Sequence, residues 1–285
     1  MANYHRLTHQ ETTGNFLMLQ ISAIPACIGN YIWIFHSDDK RGVWILDPGD
    51  AGLVKQWLSK NDKELAGILI THHHWDHVDG IEDLLTPDLP VVGPAKETFK
   101  HTNIPLNEGD TIDIGWLTFQ IIELHGHTQH HIAYLFDPDT AIKSTLENSP
   151  PMLFCGDILF SAGCGRLKQG TADQLHDSLA RMKREISDET LIYCGHEYTL
   201  DNLKFALTVE PSNKDSIAYQ EKCNRLIDSG LRTVPSTMAI EKRVNPFLRC
   251  AEKEIIDSCQ KKFGEKPQNT QECFAALRKW KDNFA

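Results

Sequence analysis

The stretch Thr71-His72-His73-His74-Trp75-Asp76-His77 constrains this chain more than any other. Four imidazoles and one carboxylate fall within six residues, directly after the apolar run Gly67-Ile68-Leu69-Ile70. A short apolar run of this kind reads as a buried strand, so the ligand-type side chains sit on the turn that leaves it. Imidazole and carboxylate are the usual ligands of zinc, iron and manganese in catalytic sites. On such a strand tip and turn, His72 and His74 can face one cation while Asp76 and His77 face a second. A solvated His-rich turn is the plainer alternative, but a full His-x-His-x-Asp-His string is far more specific than a lone His pair.

Three later segments repeat the pattern of apolar strand followed by ligand. Residues 119–124 lead to His125-Gly126-His127-Thr128, residues 152–156 lead to Asp157, and residues 191–195 lead to His196. Gly156 and Gly195 stand immediately before their ligands, where a tight turn lets backbone and side chain approach a common point. Strand tips along one edge can converge. The sets that result are His72, His74 and His127 for one metal, and Asp76, His77 and His196 for the other. Asp157 can bridge them, because a carboxylate has two oxygens. A bridged pair roughly 3.5 Å apart suits hydrolysis by a shared hydroxide, which Asp76 could orient. His73 alternates away from its neighbours on an extended backbone. His125, His130 and His131 flank His127, and His125 is the nearest competitor for its role.

Composition narrows the function classes. A net charge of −10 disfavours a surface that tracks phosphates, so nucleic acid is not an expected partner. No run approaches membrane-spanning length and the first ten residues are polar, so the expectation is a cytoplasmic protein without a membrane partner. The eight cysteines include no Cys-x-x-Cys pair and read as reduced thiols. The chain is expected to act as a monomer.

In chain order, a polar lead-in over 1–14 precedes strands at 16–19, 31–35 and 43–46. A helix over 51–60, strand 67–70 and a helix over 78–86 follow. Strands are expected at 90–92, 111–114, 117–124, 131–136 and 152–155, then a helix over 171–186 with Thr171 as N-cap, and a strand at 191–194. From 198 the pattern is helical, ending with 270–284. Strands mixed with helices, then helices alone, predict an α/β sandwich over 1–197 followed by a small helical domain over 198–285. The polar stretch 139–151 reads as a surface loop.

These residues resemble the metallo-β-lactamase superfamily and, within it, the glyoxalase II (hydroxyacylglutathione hydrolase) family. The resemblance is carried by 71–77, Gly126-His127-Thr128, Cys155-Gly156-Asp157, Gly163-Cys164-Gly165-Arg166, Tyr193-Cys194-Gly195-His196-Glu197-Tyr198, Asn245-Pro246-Phe247-Leu248-Arg249 and the C-terminal residues 277–282. It implies an αββα sandwich with a binuclear centre and a C-terminal helical domain that completes a glutathione site. It implies hydrolysis of S-D-lactoylglutathione to glutathione and D-lactate by a hydroxide bridging two divalent metals. Zinc is the first expectation, and iron or manganese fits the same ligands. The small-molecule partner is then a glutathione thioester. Arg166, Tyr198, Arg278 and Lys281 are carried over as substrate-binding residues. Lys168 joins them at a position where the family usually has an aromatic residue. His125 stands where the family usually has Pro, and Asp79 where it often has Gly.

Other readings compete. A mononuclear iron dioxygenase acting on glutathione persulfide shares the superfamily, but would use only a His-His-Asp set and no second metal. A phosphodiesterase or nuclease of this fold would want a basic stripe. A β-lactamase would want a secretion signal. A structural metal protein would use a closed four-ligand site, whereas seven ligands leave positions open for chemistry.

Overall fold

The computed structural model describes residues 5–6, 19–27, 29–97, 99–139 and 149–284. Positions 16–18 of the expected strand 16–19, most of the 1–14 lead-in and positions 140–148 of the expected loop lie outside those residues. The chain divides into two compact units. The first comprises Met1–Glu123 with Ile132–Gly156, and the second Leu124–His131 with Asp157–Ala285.

In the first unit, seven strands form one sheet in chain order: β1 (His5–Arg6), β2 (Leu19–Ala26), β3 (Asn30–Ser37), β4 (Gly42–Leu46), β5 (Glu64–Leu69), β6 (Val91–Pro94) and β7 (Ile104–Leu106). Neighbours are antiparallel up to β4 and parallel from β4 to β7. Four more strands make an antiparallel meander: β8 (Thr111–Asp113), β9 (Thr118–Glu123), β10 (Ile132–Phe136) and β11 (Met152–Gly156).

The alternation along β3 explains the layering. Successive strand residues point to opposite faces. Ile32 and Ile34 pack with Ile45, Ile68 and Val54, the last from helix α1 (Ala51–Lys60). Trp33 and Phe35 point the other way, edge-on to Phe154 at 6.3 Å and Phe119 at 5.5 Å. Such ring pairs add about 0.5–1.5 kcal/mol each beyond the area they bury. Between the same sheets, Tyr134 Oη donates to the Ile70 carbonyl at 2.8 Å and accepts from its N–H at 3.2 Å. The residue that precedes the His-rich turn is therefore pinned from the opposite sheet.

One helix expectation fails. Residues 78–86 are not a helix: the chain forms a four-residue helix, α2 (Trp75–Val78), and a separate 3-10 turn over Glu82–Leu84. The cause lies at Gly80, whose N–H bonds the Pro48 carbonyl at 3.1 Å. A Cβ there would lie 2.5 Å from that oxygen, so the chain docks against the Asp47-Pro48-Gly49 turn instead of continuing to coil. The apolar positions Val78, Ile81 and Leu84 are still buried. The apolar pattern marked these three buried positions, whereas Leu85, its fourth apolar residue, is 38% exposed, and it marked helix length wrongly.

The second unit holds the hairpin β12 (Leu159–Phe160) and β13 (Gly163–Cys164), helix α3 (Ala172–Glu185), and β14 (Leu191–Cys194) paired with β15 (Ser236–Thr237). Its remaining helices are α4 (Thr199–Val209), α5 (Lys214–Asp228), α6 (Met238–Val244), α7 (Lys253–Phe263) and α8 (Thr270–Asp282). Thr171 caps α3 as expected, in a capping box with Gln174, worth about 1 kcal/mol. On α8, Phe274 and Leu277 are fully buried and Trp280 stands edge-on to Phe205 at 5.8 Å. Burial of each such side chain stabilises by about 1.5–3 kcal/mol. All eight cysteines are free thiols. Among the described residues, no helix is long and apolar enough to cross a membrane.

Candidate metal centre

In the first unit, ligand-type residues gather at the carboxyl ends of parallel neighbours. Leu46 of β4 is in register with Leu69 of β5, so the residues leaving these strands emerge side by side. Asp47 therefore meets Thr71. Its Oδ1 accepts the Thr71 N–H at 2.8 Å, its Oδ2 accepts the Thr71 hydroxyl at 2.7 Å, and the same Oδ2 lies 3.0 Å from His77 Nδ1. Asp47 is 3% exposed and holds a left-handed backbone, φ 53°. Ligand-type atoms of Asp47, His72 and His77 all lie within 4.8 Å of one another.

These contacts fix which ring nitrogen each histidine presents. A carboxylate accepts, so His77 donates from Nδ1 and keeps its lone pair on Nε2. The Thr71 hydroxyl spends its proton on Asp47 and so accepts from His72 Nδ1 at 3.0 Å, which leaves the lone pair of His72 on Nε2 as well. His72 Nε2 and His74 Nδ1 converge to 3.0 Å. Two nitrogens in one tetrahedral zinc shell stand roughly 3.3 Å apart, so the pair fits a shared cation closely. Asp76 Oδ2 accepts from Asn30 Nδ2 at 3.1 Å and lies 3.9 Å from His77 Nε2. His73 pairs with Glu97 at 2.7 Å.

The second unit brings His127, Asp157 and His196 together. Asp157 Oδ2 lies 3.5 Å from His127 Nε2 and 3.3 Å from His196 Nε2. His127 donates from Nδ1 to the Arg166 carbonyl at 2.7 Å, so its Nε2 also carries the lone pair. The Asp157 N–H donates to His131 Nε2 at 3.2 Å, which gives His131 an orienting rather than a ligating part. Gly165 makes this approach possible: a Cβ there would fall 1.9 Å from the Asp157 carbonyl oxygen and 3.0 Å from His127 Nδ1. Gly126 is similarly constrained, with φ 126° and Leu175 Cα 2.4 Å from where its Cβ would be.

The other expected site residues are all in this unit. Tyr198 stacks on His196, centroids 4.6 Å apart and rings 11° from parallel. Arg166 and Lys168 are exposed. Arg278 is 3% exposed and donates to the Cys164 carbonyl at 3.0 Å and the Gly165 carbonyl at 3.3 Å, with Asp282 2.8 Å away. Lys281 Nζ donates to the Asp201 carbonyl at 3.0 Å and lies over the rings of Phe205 and Phe284. Burial first, and then the neighbouring Arg278 charge, lowers its pKa from 10.5 to about 8.

Sequence reasoning missed Asp47, to which it gave no place in the site. The available signal was an Asp directly after a strand that pairs in parallel with the strand feeding the His string.

Histidines and carboxylates gathered on loops beyond the strand ends of a two-sheet α/β scaffold define a metal-binding protein of the metallo-β-lactamase fold. Solved structures agree on the fold. One described as ETHE1 from Myxococcus xanthus matches with a TM-score of 0.58 at 23% identity, over 92% of this chain and 97% of that one. A metallo-beta-lactamase from Staphylococcus aureus matches at 0.58 and 19% identity, over 92% and 72%. The αββα α/β class expected above is therefore the class observed. Residues 197–284 match the family model described as hydroxyacylglutathione hydrolase C-terminus. Proteins named hydroxyacylglutathione hydrolase from Aliivibrio fischeri and Pseudomonas aeruginosa are each 43% identical, over 94% of this chain and the whole of theirs. The chain belongs to the hydroxyacylglutathione hydrolase family.

Proposed function

We propose that this enzyme hydrolyses the thioester of S-D-lactoylglutathione and related 2-hydroxyacyl-glutathiones, releasing glutathione and a 2-hydroxy acid. The observation that carries the reading, beside family membership, is that Thr71, Asp47 and the Arg166 carbonyl hold His72, His77 and His127 with lone pairs on Nε2. Neutral imidazoles locked in one tautomer are what a metal site requires. His72, His74 and His127 would hold one divalent cation and Asp76, His77 and His196 a second, with Asp157 serving both. When bound, such cations acidify water to near neutrality and polarise a carbonyl. Zinc is our first assignment.

The chain's own groups do the rest. Asp76, whose Oδ2 accepts from Asn30, is assigned to orient the attacking water. The leaving group is a thiolate whose parent thiol has a pKa of about 8.5, so no dedicated general acid is needed. Arg166, Lys168, Tyr198 and Lys281 are assigned to the anionic glutathione moiety. Arg278 is assigned there too, acting through the Cys164–Gly165 backbone that it holds. We take 198–285 as the helical domain that supplies most of these contacts, a reading supported by the family model over 197–284. Free thiols at all eight cysteines support a cytoplasmic setting, and the charge of −10 supports a partner list without nucleic acid. We assign a monomer.

The test follows loss of thioester absorbance with S-D-lactoylglutathione, alongside elemental analysis of protein purified without added metal. Turnover with two metals per chain is expected. No turnover by metal-replete protein refutes the assignment, and one iron per chain with oxygen uptake would replace it with persulfide dioxygenation.

A further inference from the structure

Beneath the β12–β13 hairpin lies a buried polar cluster that the chemistry above does not use. Glu241, on α6, is 0% exposed. Its Oε2 accepts the Ala162 N–H at 2.8 Å and Asn245 Nδ2 at 3.1 Å. Asn245, also 0% exposed, divides its two amide hydrogens among that oxygen, the Phe160 carbonyl at 3.2 Å and the Gly163 carbonyl at 2.9 Å. From α4, Asn202 donates to the Ser161 carbonyl at 3.1 Å, and Ser161 Oγ meets Tyr219 Oη of α5 at 3.0 Å. Side chains of this cluster thus engage the backbone of residues 160–163 one after another.

The turn needs that grip. Phe160 pairs with Gly163, so Ser161 and Ala162 form a two-residue loop. Ala162 sits there at φ 57°, a left-handed conformation unfavourable for a residue with a Cβ. Such conformations persist where surrounding contacts over-determine them. The base of the same hairpin carries the site: Asp157 lies two residues before β12, and the Gly165 N–H bonds the Ile158 carbonyl at 3.1 Å. The Arg166 carbonyl, one residue further, sets the His127 tautomer.

We propose that Glu241 is a positioning residue for the metal centre: by accepting from Ala162 and Asn245 it fixes the hairpin whose base aligns Asp157 and His127. The proposal rests on the hydrolase reading for its activity readout and stands apart from it in metal affinity. Burial pushes the Glu241 carboxyl above its ordinary value, and glutamine keeps its shape and an accepting oxygen.

The experiment compares wild type with Glu241→Ala, Glu241→Asp and Glu241→Gln by zinc titration against a chromophoric chelator, thermal unfolding and steady-state hydrolysis of S-D-lactoylglutathione. Aspartate shortens the side chain by one methylene and withdraws its carboxyl from the Ala162 N–H. Loss of a partner that orients ligands typically weakens metal binding about 10–100-fold. That loss is expected at the weaker zinc in the Asp variant, and in the Ala variant where it folds, with kcat falling in parallel and KM nearly unchanged. Glutamine should restore both, since its amide oxygen still accepts from Ala162. A folded Asp or Ala variant that keeps wild-type zinc affinity and kcat, losing only melting temperature, overturns the proposal. So does a Gln variant as impaired as the Asp variant. If wild type itself shows no turnover, the hydrolase reading falls, and the zinc affinities alone decide the role of Glu241.

Discussion

Asp47→Asn is the most informative single perturbation of the centre, because it changes one acceptor oxygen into a donor with almost no change in shape. Asp47 accepts three donors: Thr71 N–H, the Thr71 hydroxyl and His77 Nδ1–H. An asparagine side chain offers one acceptor atom and one donor group. If its oxygen stays with the Thr71 N–H, its NH₂ takes the place of Oδ2, so the Thr71 hydroxyl loses its acceptor and His77 Nδ1 faces a donor that draws the ring proton to Nε2, the nitrogen assigned to the metal. If the amide flips, the NH₂ faces the Thr71 N–H and that buried donor loses its partner. Either way at least one buried hydrogen bond is lost. A changed orienting partner costs about 10–100-fold in metal affinity, which is about 1.4–2.7 kcal/mol. The assay is zinc competition titration on folded protein, with long-range ¹H–¹⁵N spectra of the metal-free form to report the His77 tautomer. His77 protonated on Nδ1 in both proteins, together with unchanged zinc affinity, would refute the reasoning.

Further outcomes follow from the same contacts. Arg278→Ala leaves the Cys164 and Gly165 carbonyls without a buried donor, so it should lower unfolding free energy by on the order of 3 kcal/mol in denaturant titrations, as well as raising KM. Lysine should not rescue it, since an ammonium lacks the planar fork. Lys281 has a pKa lowered from 10.5 to about 8, so the unfolded chain holds a proton that the folded one lacks between those values. Its contribution to stability therefore rises as pH climbs from about 8 towards 10.5, and is withdrawn as pH falls through 8. In the same direction its ammonium is lost, so KM for the anionic substrate should climb above about pH 8 and flatten in Lys281→Gln, read from KM against pH. Chelation should abolish turnover and lower the melting temperature, because ligand at 100 times its dissociation constant stabilises by about 2.7 kcal/mol. An unchanged melting curve after verified metal removal would count against cations bound to the folded state.

Much of this protein was legible one-dimensionally. The apolar strand β3, the helix over Ala51–Lys60 and the Thr171 cap are local features, set by side-chain sterics and hydrogen bonds within a few residues, and the chain's order of residue types reveals them. The ligand-type residues were also legible, because His-x-His-x-Asp-His leaves few alternatives. Helix length after His77 was not, since it depends on Gly80 docking on Pro48, 32 positions earlier in the chain. Nor was the role of Asp47, which comes from two parallel strands ending in register, or that of Arg278, which looks like a surface cation on a helix and is instead buried against Cys164 and Gly165. Residue chemistry names the donors. Which nitrogen carries each proton, and which charge faces a carbonyl instead of water, is decided only when segments distant in sequence come within 3 Å of each other.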